Sequence, residues 1–279
     1  MPERQPGRLK FTFNKPIKNQ IQMAKYYYLI HCQYLGFRYH GWQKQPELIT
    51  VEYMIEKTLK FIFGHTRFKI LVASRTDAKV SANHSVFELF VNEPLNPNQL
   101  LTDFNQNLPN DIKAIKVEAV DKHFSIINAP KTKEYIYLFT FGGKCHPFCA
   151  PLICSFQNHL DIELMKTGAS LFQGKHNFIK YCTKPKPGAT FDREILVSKI
   201  EENTMYKANF FPATSYAYVI RSKGFLRYQV RLIMGQLFSL GRGEISLNDI
   251  RQSLKGLNQQ PLRHIAPSSG LILNKIEFE

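Results

Sequence analysis

The hydrophobic pattern of this chain runs through the same series twice, and that repetition limits the fold more than any single motif. In the first half, Tyr26 to Tyr34 is rich in β-formers and reads as a strand. Val51 to Phe63 carries helical spacing at Val51, Met54, Ile55, Leu59 and Ile62, and Gly64 stops it. Phe68 to Ala73 and Ser85 to Val91 read as strands, the second with Val86, Glu88 and Phe90 on one face. Asn96 followed by Pro97 is an N-cap and first-turn signature that opens a helix to about Leu108, after which Lys113 to Val120 alternates as a strand. The second half repeats the order. Lys133 to Phe141 reads as a strand, Asp161 to Gln173 as a helix stopped by Gly174, Glu194 to Ile200 and Tyr216 to Ser222 as strands, Phe225 to Leu240 as a helix, and Leu271 to Phe278 as the last strand. A short extra helix, Leu247 to Lys255, is announced by Ser246 with Asp249 three residues on, a variant of the capping box.

Each half therefore predicts a split βαβ unit, the ferredoxin-like arrangement also used by RRM domains, with antiparallel strands in one sheet and helices on one face. The expected class is α+β, with two tandem ferredoxin-like halves, a central mostly antiparallel sheet and a cleft between the halves. The halves share pattern, not residues. The expected division is a basic N-terminal arm over residues 1–25, a first subdomain over 26–125 and a second over 126–279. The arm holds Arg4, Arg8, Lys10, Lys15, Lys18 and Lys25 against Glu3, with Pro2, Pro6 and Pro16 interrupting regular structure.

Charge then narrows the partner. The 279 residues include 37 Lys and Arg against 22 Asp and Glu, a net charge of +15, which steers the protein toward polyanions. Thirteen Tyr, 22 Phe and one Trp accompany that charge, and aromatic faces interleaved with Lys and Arg suit unstacked RNA bases. No apolar run reaches the roughly 18 residues of a membrane span, and the start of the chain has no apolar signal-peptide centre, so a soluble cytoplasmic protein without membrane attachment is expected. Five cysteines, an odd number, read as reduced thiols. Cys145, Cys149 and Cys154 lie near His146, but their spacings match no common zinc finger and Pro147 and Pro151 punctuate the segment, so no metal is expected.

Four segments carry the chemistry. Between two strands lies Ser74-Arg75-Thr76-Asp77-Ala78-Lys79-Val80-Ser81-Ala82, where Arg75 and Lys79 flank a carboxylate expected to have a depressed pKa and to act as nucleophile or base. Gly36-Phe37-Arg38-Tyr39-His40-Gly41-Trp42-Gln43 follows the first strand, and its glycines, Arg38 and the single Trp suit a loop approached by a large ligand, with a structural Trp as the alternative. Lys133-Glu134-Tyr135-Ile136-Tyr137 places Tyr135 and Tyr137 on one face of a strand, either to stack on a base or to fill the core. In the helix read from Phe225, Leu226, Val230, Ile233, Leu237 and Leu240 form a core stripe, with Lys223, Arg227 and Arg231 spaced by four beside it.

These four motifs, in this order and spacing, resemble the TruA family of tRNA pseudouridine synthases from about Tyr26 to Phe278. The resemblance implies isomerisation of uridine to pseudouridine in the anticodon stem-loop of tRNA, at tRNA positions 38 to 40, by a homodimer without cofactor or metal. It further implies that Asp77 is the catalytic aspartate, that Tyr135 stacks on the target uracil, that Arg231 holds Asp77, and that Arg75 helps place the flipped nucleotide. Arg38, Tyr39, Trp42, Gln43, Lys79, Lys133 and Arg227 complete the expected RNA contacts. Opening a glycosidic bond requires the uridine out of its stack, and a carboxylate in a water-excluded pocket can then attack or abstract.

The family loop usually reads GRTDAGVHA, whereas Ser74, Lys79 and Ser81 stand here for the first glycine, the second glycine and the histidine. Lysine lacks the glycine's freedom at positive φ. A paralogue acting on another uridine is therefore a second expectation. A non-catalytic RNA-binding module of two RRM-like sheets is the third, distinguished only by the combination of Asp77, Tyr135 and Arg231.

Overall fold

The computed structural model describes residues 25–186, 188–256 and 262–279; the basic arm, apart from Lys25, lies outside the described residues. The first half contributes β1 (Tyr26–Tyr34), α1 (Val51–Phe63), β2 (Phe68–Val72), β3 (Ser81–Val91), α2 (Pro97–Asn107) and β4 (Ile112–Val120). The second contributes β5 (Lys131–Phe141), β6 (Cys154–Phe156), α3 (Ile162–Ser170), β7 (Gly174–Asn177), β8 (Asp192–Glu202), β9 (Tyr216–Ser222), α4 (Gln229–Gly241), α5 (Leu247–Ser253) and β10 (Leu271–Phe278). The class is α+β with one large, mostly antiparallel sheet.

Local signals explain the helix starts. Thr50 caps α1 by accepting from the Tyr53 amide, and Gly64 ends it in the left-handed region at φ 67°. The Asn96 side chain accepts from the Asn98 and Gln99 amides ahead of Pro97, and Ser246 with Asp249 forms a complete capping box on α5. The helix read from Phe225 begins instead at Gln229, because Tyr228 before it takes a left-handed backbone, φ 62°. Lys223 and Arg227 therefore lie in the turn ahead of α4, not along its edge. Lys223 pairs there with Glu279 at 3.4 Å.

The sheet runs β4-β1-β3-β10-β5-β9-β8-β7, with β2 on β3 and β6 on β5 off this path. The strands of both halves thus lie in one continuous sheet, mostly antiparallel as expected. β3 changes partner along its length: Phe87 to Val91 pair antiparallel with β2, while Ser81 and Ala82 pair parallel with Ile272 and Leu273 of β10. β10 also pairs antiparallel with β5, so this short parallel contact joins the two halves. The segment linking β2 to β3, which carries Asp77, sits where β3 passes from one partner to the other.

Alternation along β5 serves two cores. Tyr135, Tyr137 and Phe139 join the large core with Ile55, Phe104, Met165 and Phe238 of α1 to α4, whereas Ile136 and Leu138 join a smaller one with Cys149, Ile153, Ala217 and Val219. The two short strands missed in the sequence, β6 and β7, borrow their pairing from β5 and β8.

Candidate active site

The Asp77 loop rests on the Gly36–Trp42 segment, backbone against backbone. Lys79 donates its amide to the Tyr39 carbonyl at 3.0 Å, Trp42 donates to the Thr76 carbonyl at 3.1 Å, and the Gly36 amide donates to Ser81 Oγ at 2.9 Å. Contact this close requires glycine. A Cβ on Gly36 would fall 2.0 Å from the Val80 carbonyl oxygen, and one on Gly41 would fall 2.7 Å from that of Thr76. Tyr34 and Thr76 close the floor with a hydroxyl pair at 2.8 Å.

The supporting segment is anchored at a distance. Asp111 takes both Nε and Nη2 of Arg38, the latter at 2.8 Å, together with the Tyr39 hydroxyl at 2.7 Å. For Tyr39 and Trp42 this arrangement corrects the expected RNA contact to a structural role. Tyr39 and Trp42 are 1% and 0% exposed and offer no ring face to a ligand. Gln43 donates to Glu52 at 2.7 Å and binds the segment to the first turn of α1. Arg38 keeps half its side chain exposed while paired with Asp111.

Asp77 and Arg231 meet across the junction of the halves, with Arg231 Nη1 donating to Asp77 Oδ2 at 3.4 Å. A second donor, Arg231 Nε, is fixed on the Ala266 carbonyl at 2.8 Å. The side chains are 14% and 30% exposed, so the pair is shielded yet open on the Asp77 side. Against the expected depression, the Asp77 pKa is raised: burial outweighs the lowering effects of Arg231 and, more weakly, Arg227. Arg75 and Lys79, the sequence neighbours, are both exposed and are not the charges that act on it.

Tyr135 forms the adjoining wall. It is 7% exposed, meets Phe225 edge-on at 5.3 Å between ring centroids, and shares a hydroxyl contact with Ser74 at 3.3 Å. Burial first, and then the Asp77 charge, push its pKa up to about 12 against the opposing Ser74 hydrogen bond, so it stays protonated at neutral pH. Lys133, two residues earlier on the same face, is pushed down to about 8 by burial and by neighbouring Lys131. Lys79 retains the left-handed turn without glycine, at φ 65°, and its amine lies 5.8 Å from the centre of the exposed Phe37 ring. Arg227 is exposed beside the Tyr228 ring, at 5.6 Å.

The structure thus gathers Asp77, Arg231, Tyr135 and Ser74, with Arg227 nearby, and sets Tyr39, Trp42 and Gln43 beneath them as support. Asp111 and Tyr228 were not singled out in the sequence, since neither stands in a motif that announces its partner. Cys149 and Cys154 are buried and Cys145 half-buried, with the Cys149 thiol donating to the Phe210 carbonyl. Among the described residues no cluster of three His, Cys, Asp or Glu could hold a metal ion, and no helix is long and apolar enough to cross a membrane.

Comparison with known proteins finds relatives along nearly the whole chain. A family model described as tRNA pseudouridine synthase matches residues 169–279. The chain is 31% identical over 252 residues to tRNA pseudouridine synthase A of Thermodesulfovibrio yellowstonii, covering 88% of this chain and 97% of that protein. It is 32% identical over 251 residues to tRNA pseudouridine synthase A of Dictyoglomus thermophilum, covering 89% and 98%. With tRNA pseudouridine synthase A 2 of Desulfotalea psychrophila the identity is 30% over 267 residues, covering 90% and 98%. With identities of 31% and 32% over nearly the whole length of both proteins, the chain belongs to the TruA family of tRNA pseudouridine synthases.

Proposed function

We propose that this chain converts uridine to pseudouridine in the anticodon stem-loop of tRNA, at tRNA positions 38 to 40, with Asp77 as the carboxylate that acts on the target nucleotide. The family makes it a pseudouridine synthase, and the relatives named above are tRNA enzymes by name. The observation that carries the residue assignment is the Asp77–Arg231 pair beside the Tyr135 ring. In the reaction the bond from C1′ to N1 breaks, the uracil turns, and C1′ bonds to C5; the C5 proton leaves to a base and N1 gains one. Nothing is oxidised or reduced and no group is donated, so the chemistry asks for no cofactor. A carboxylate whose pKa is lifted by burial is a better base than one in water, while Arg231 and Arg227 keep the ionised form accessible. Tyr135 supplies the face on which the uracil rests, and Arg75, Lys79, Lys133, Arg227 and Arg38 supply cations for the flanking phosphates.

We read residues 26–125 and 126–279 as the two ferredoxin-like subdomains, supported by the strand orders β4-β1-β3-β2 and β10-β5-β9-β8. On that reading Asp77 comes from one subdomain and Tyr135 and Arg231 from the other, so the target nucleotide lies between them. The family resemblance supports a homodimer in the cytoplasm, which sedimentation of the purified protein tests.

The reaction itself is tested by incubating the protein with unmodified tRNA transcripts and mapping pseudouridine by carbodiimide-dependent reverse-transcription stops. Product at positions 38 to 40 is expected. Product confined to another uridine would replace the target, and Lys79 in the Asp77 loop is the observation that would favour that reading. No product on any transcript would overturn the assignment.

A further inference from the structure

The turn that leads into α4 is built in an unusual way. Leu226 donates its amide to Gln229 Oε1 at 2.7 Å and accepts the Gln229 amide at 3.1 Å, a reciprocal pair that closes the turn over Tyr228. Within it Tyr228 takes φ 62°, a left-handed backbone in which the Cβ of any residue but glycine is crowded. Asparagine or glycine would fit such a position better, and tyrosine brings one thing they lack: a ring. That ring lies 5.0 Å from the Arg231 guanidinium and 5.6 Å from that of Arg227, within the range of cation–π attraction for both.

We infer that Tyr228 is a positioning residue, whose ring gathers Arg227 and Arg231 on one aromatic body and so holds their charge toward Asp77. Arg231 already has one donor, Nε, fixed on Ala266, which leaves its outer nitrogen free to swing about that anchor. The Tyr228 ring restricts that swing, and Nη1 is left on Asp77. Among the described residues no backbone group anchors the Arg227 side chain. The ring is its contact among the described residues that bears on this site. The charged and titratable groups facing Asp77 are Arg231 on α4, Arg227 in the turn and Tyr135 on β5, with Arg75 and Lys79 flanking it on its own loop. Of these, the two guanidiniums oppose the effect of burial on the carboxyl, and both touch Tyr228. Loosening them must raise the pH at which Asp77 ionises.

This inference rests on the reading of Asp77 as the working carboxylate, and the two can fail separately. The measurement is kcat/KM on an unmodified tRNA transcript as a function of pH, together with thermal melting, for Tyr228→Phe, Tyr228→Asn and Tyr228→Gly. Tyr228→Phe keeps the ring and is expected to keep the acidic limb of the profile in place. Tyr228→Asn and Tyr228→Gly accept the left-handed backbone, which offsets part of the packing the ring gives the core, and in both the acidic limb is expected to move up by about one pH unit. An unmoved limb in both, whether or not the rate or the melting temperature falls, would overturn the inference. Asp77→Asn is measured alongside. If it retains turnover the reading of Asp77 fails; if it is inactive and the Tyr228 variants show no shift, only the role given to Tyr228 fails.

Discussion

Arg231 and Asp77 stand 154 residues apart in the chain and 3.4 Å apart in the fold, and their pairing ties the loop between β2 and β3 to the first turn of α4. Arg231 also donates from Nε to the Ala266 carbonyl while its backbone carbonyl accepts the Ala266 amide, so this residue is joined twice to Ala266. Arg231→Ala should cost about 1–3 kcal/mol of stability, less than the 3–5 kcal/mol of a fully buried pair because Asp77 keeps 30% exposure. It should also leave the Asp77 carboxylate without its nearest cation, so residual activity should require a higher pH. Denaturant melts and a pH–rate profile check this, and a variant with parental stability and profile would show the pair to be incidental.

Asp111 supports the site from outside it. Burial raises its pKa, but hydrogen bonds from Arg38 and Tyr39 together outweigh that and hold it below the usual carboxylate range. A depressed folded pKa contributes stability that is present above the unfolded value of about 3.9 and disappears as pH falls through the folded value. Asp111→Ala should therefore lose about 1–3 kcal/mol at neutral pH and show a flatter stability curve in the acid range than the parent. Its catalytic rate should fall more than its RNA affinity, since the Asp77 loop loses its backing. Equal loss of both would count against the supporting role.

Lys133 carries the opposite sign. With its folded pKa near 8 and its ordinary value at 10.5, the unfolded chain binds the extra proton between those values, so stability should rise as pH climbs through that window. Lys133→Met removes a charge that burial disfavours and should gain about 1–2 kcal/mol at pH 7, with the gain shrinking toward pH 10. Chemical denaturation at several pH values measures this. A gain that does not change with pH would assign the effect to packing instead of charge.

Much of this architecture was legible in the sequence, and the misses have physical causes. Asn96-Pro97 and Ser246 with Asp249 marked helix starts because capping depends on a few adjacent residues. Tyr216–Ser222 and Leu271–Phe278 matched their strands because alternation within a buried sheet is a local property. The start of α4 was misplaced because apolar spacing continues through Phe225 and Leu226, while the left-handed Tyr228 that breaks the helix leaves no trace in periodicity. Trp42 and Tyr39 resembled ligand contacts because aromatics in a glycine-rich loop fit either role, and only the partner Asp111, 72 residues away from Tyr39, decides it. Likewise, the raised pKa of Asp77 follows from burial by distant elements, which flanking Arg75 and Lys79 cannot reveal.

Lys79 holds a left-handed turn that glycine would hold at less cost. Lys79→Gly should stabilise the protein by about 1 kcal/mol, since the exposed contact with Phe37 contributes less than the backbone gains. It should also change which uridine is modified more than it changes overall tRNA affinity. Thermal melting and pseudouridine maps over a panel of transcripts test both. An unchanged map would show that the lysine does not select the target.

The central claim is that the Asp77 carboxylate does the chemistry, and Asp77→Asn tests it with the least change in shape. The amide keeps the size of the side chain and its place beside Arg231 but cannot serve as an ionised nucleophile or base. Tritium release from tRNA labelled at uridine C5, measured in single turnover beside filter binding of the same tRNA, separates chemistry from affinity. The account predicts loss of release by at least about 10³-fold, with binding within a few-fold of the parent. Release within tenfold of the parent would contradict it.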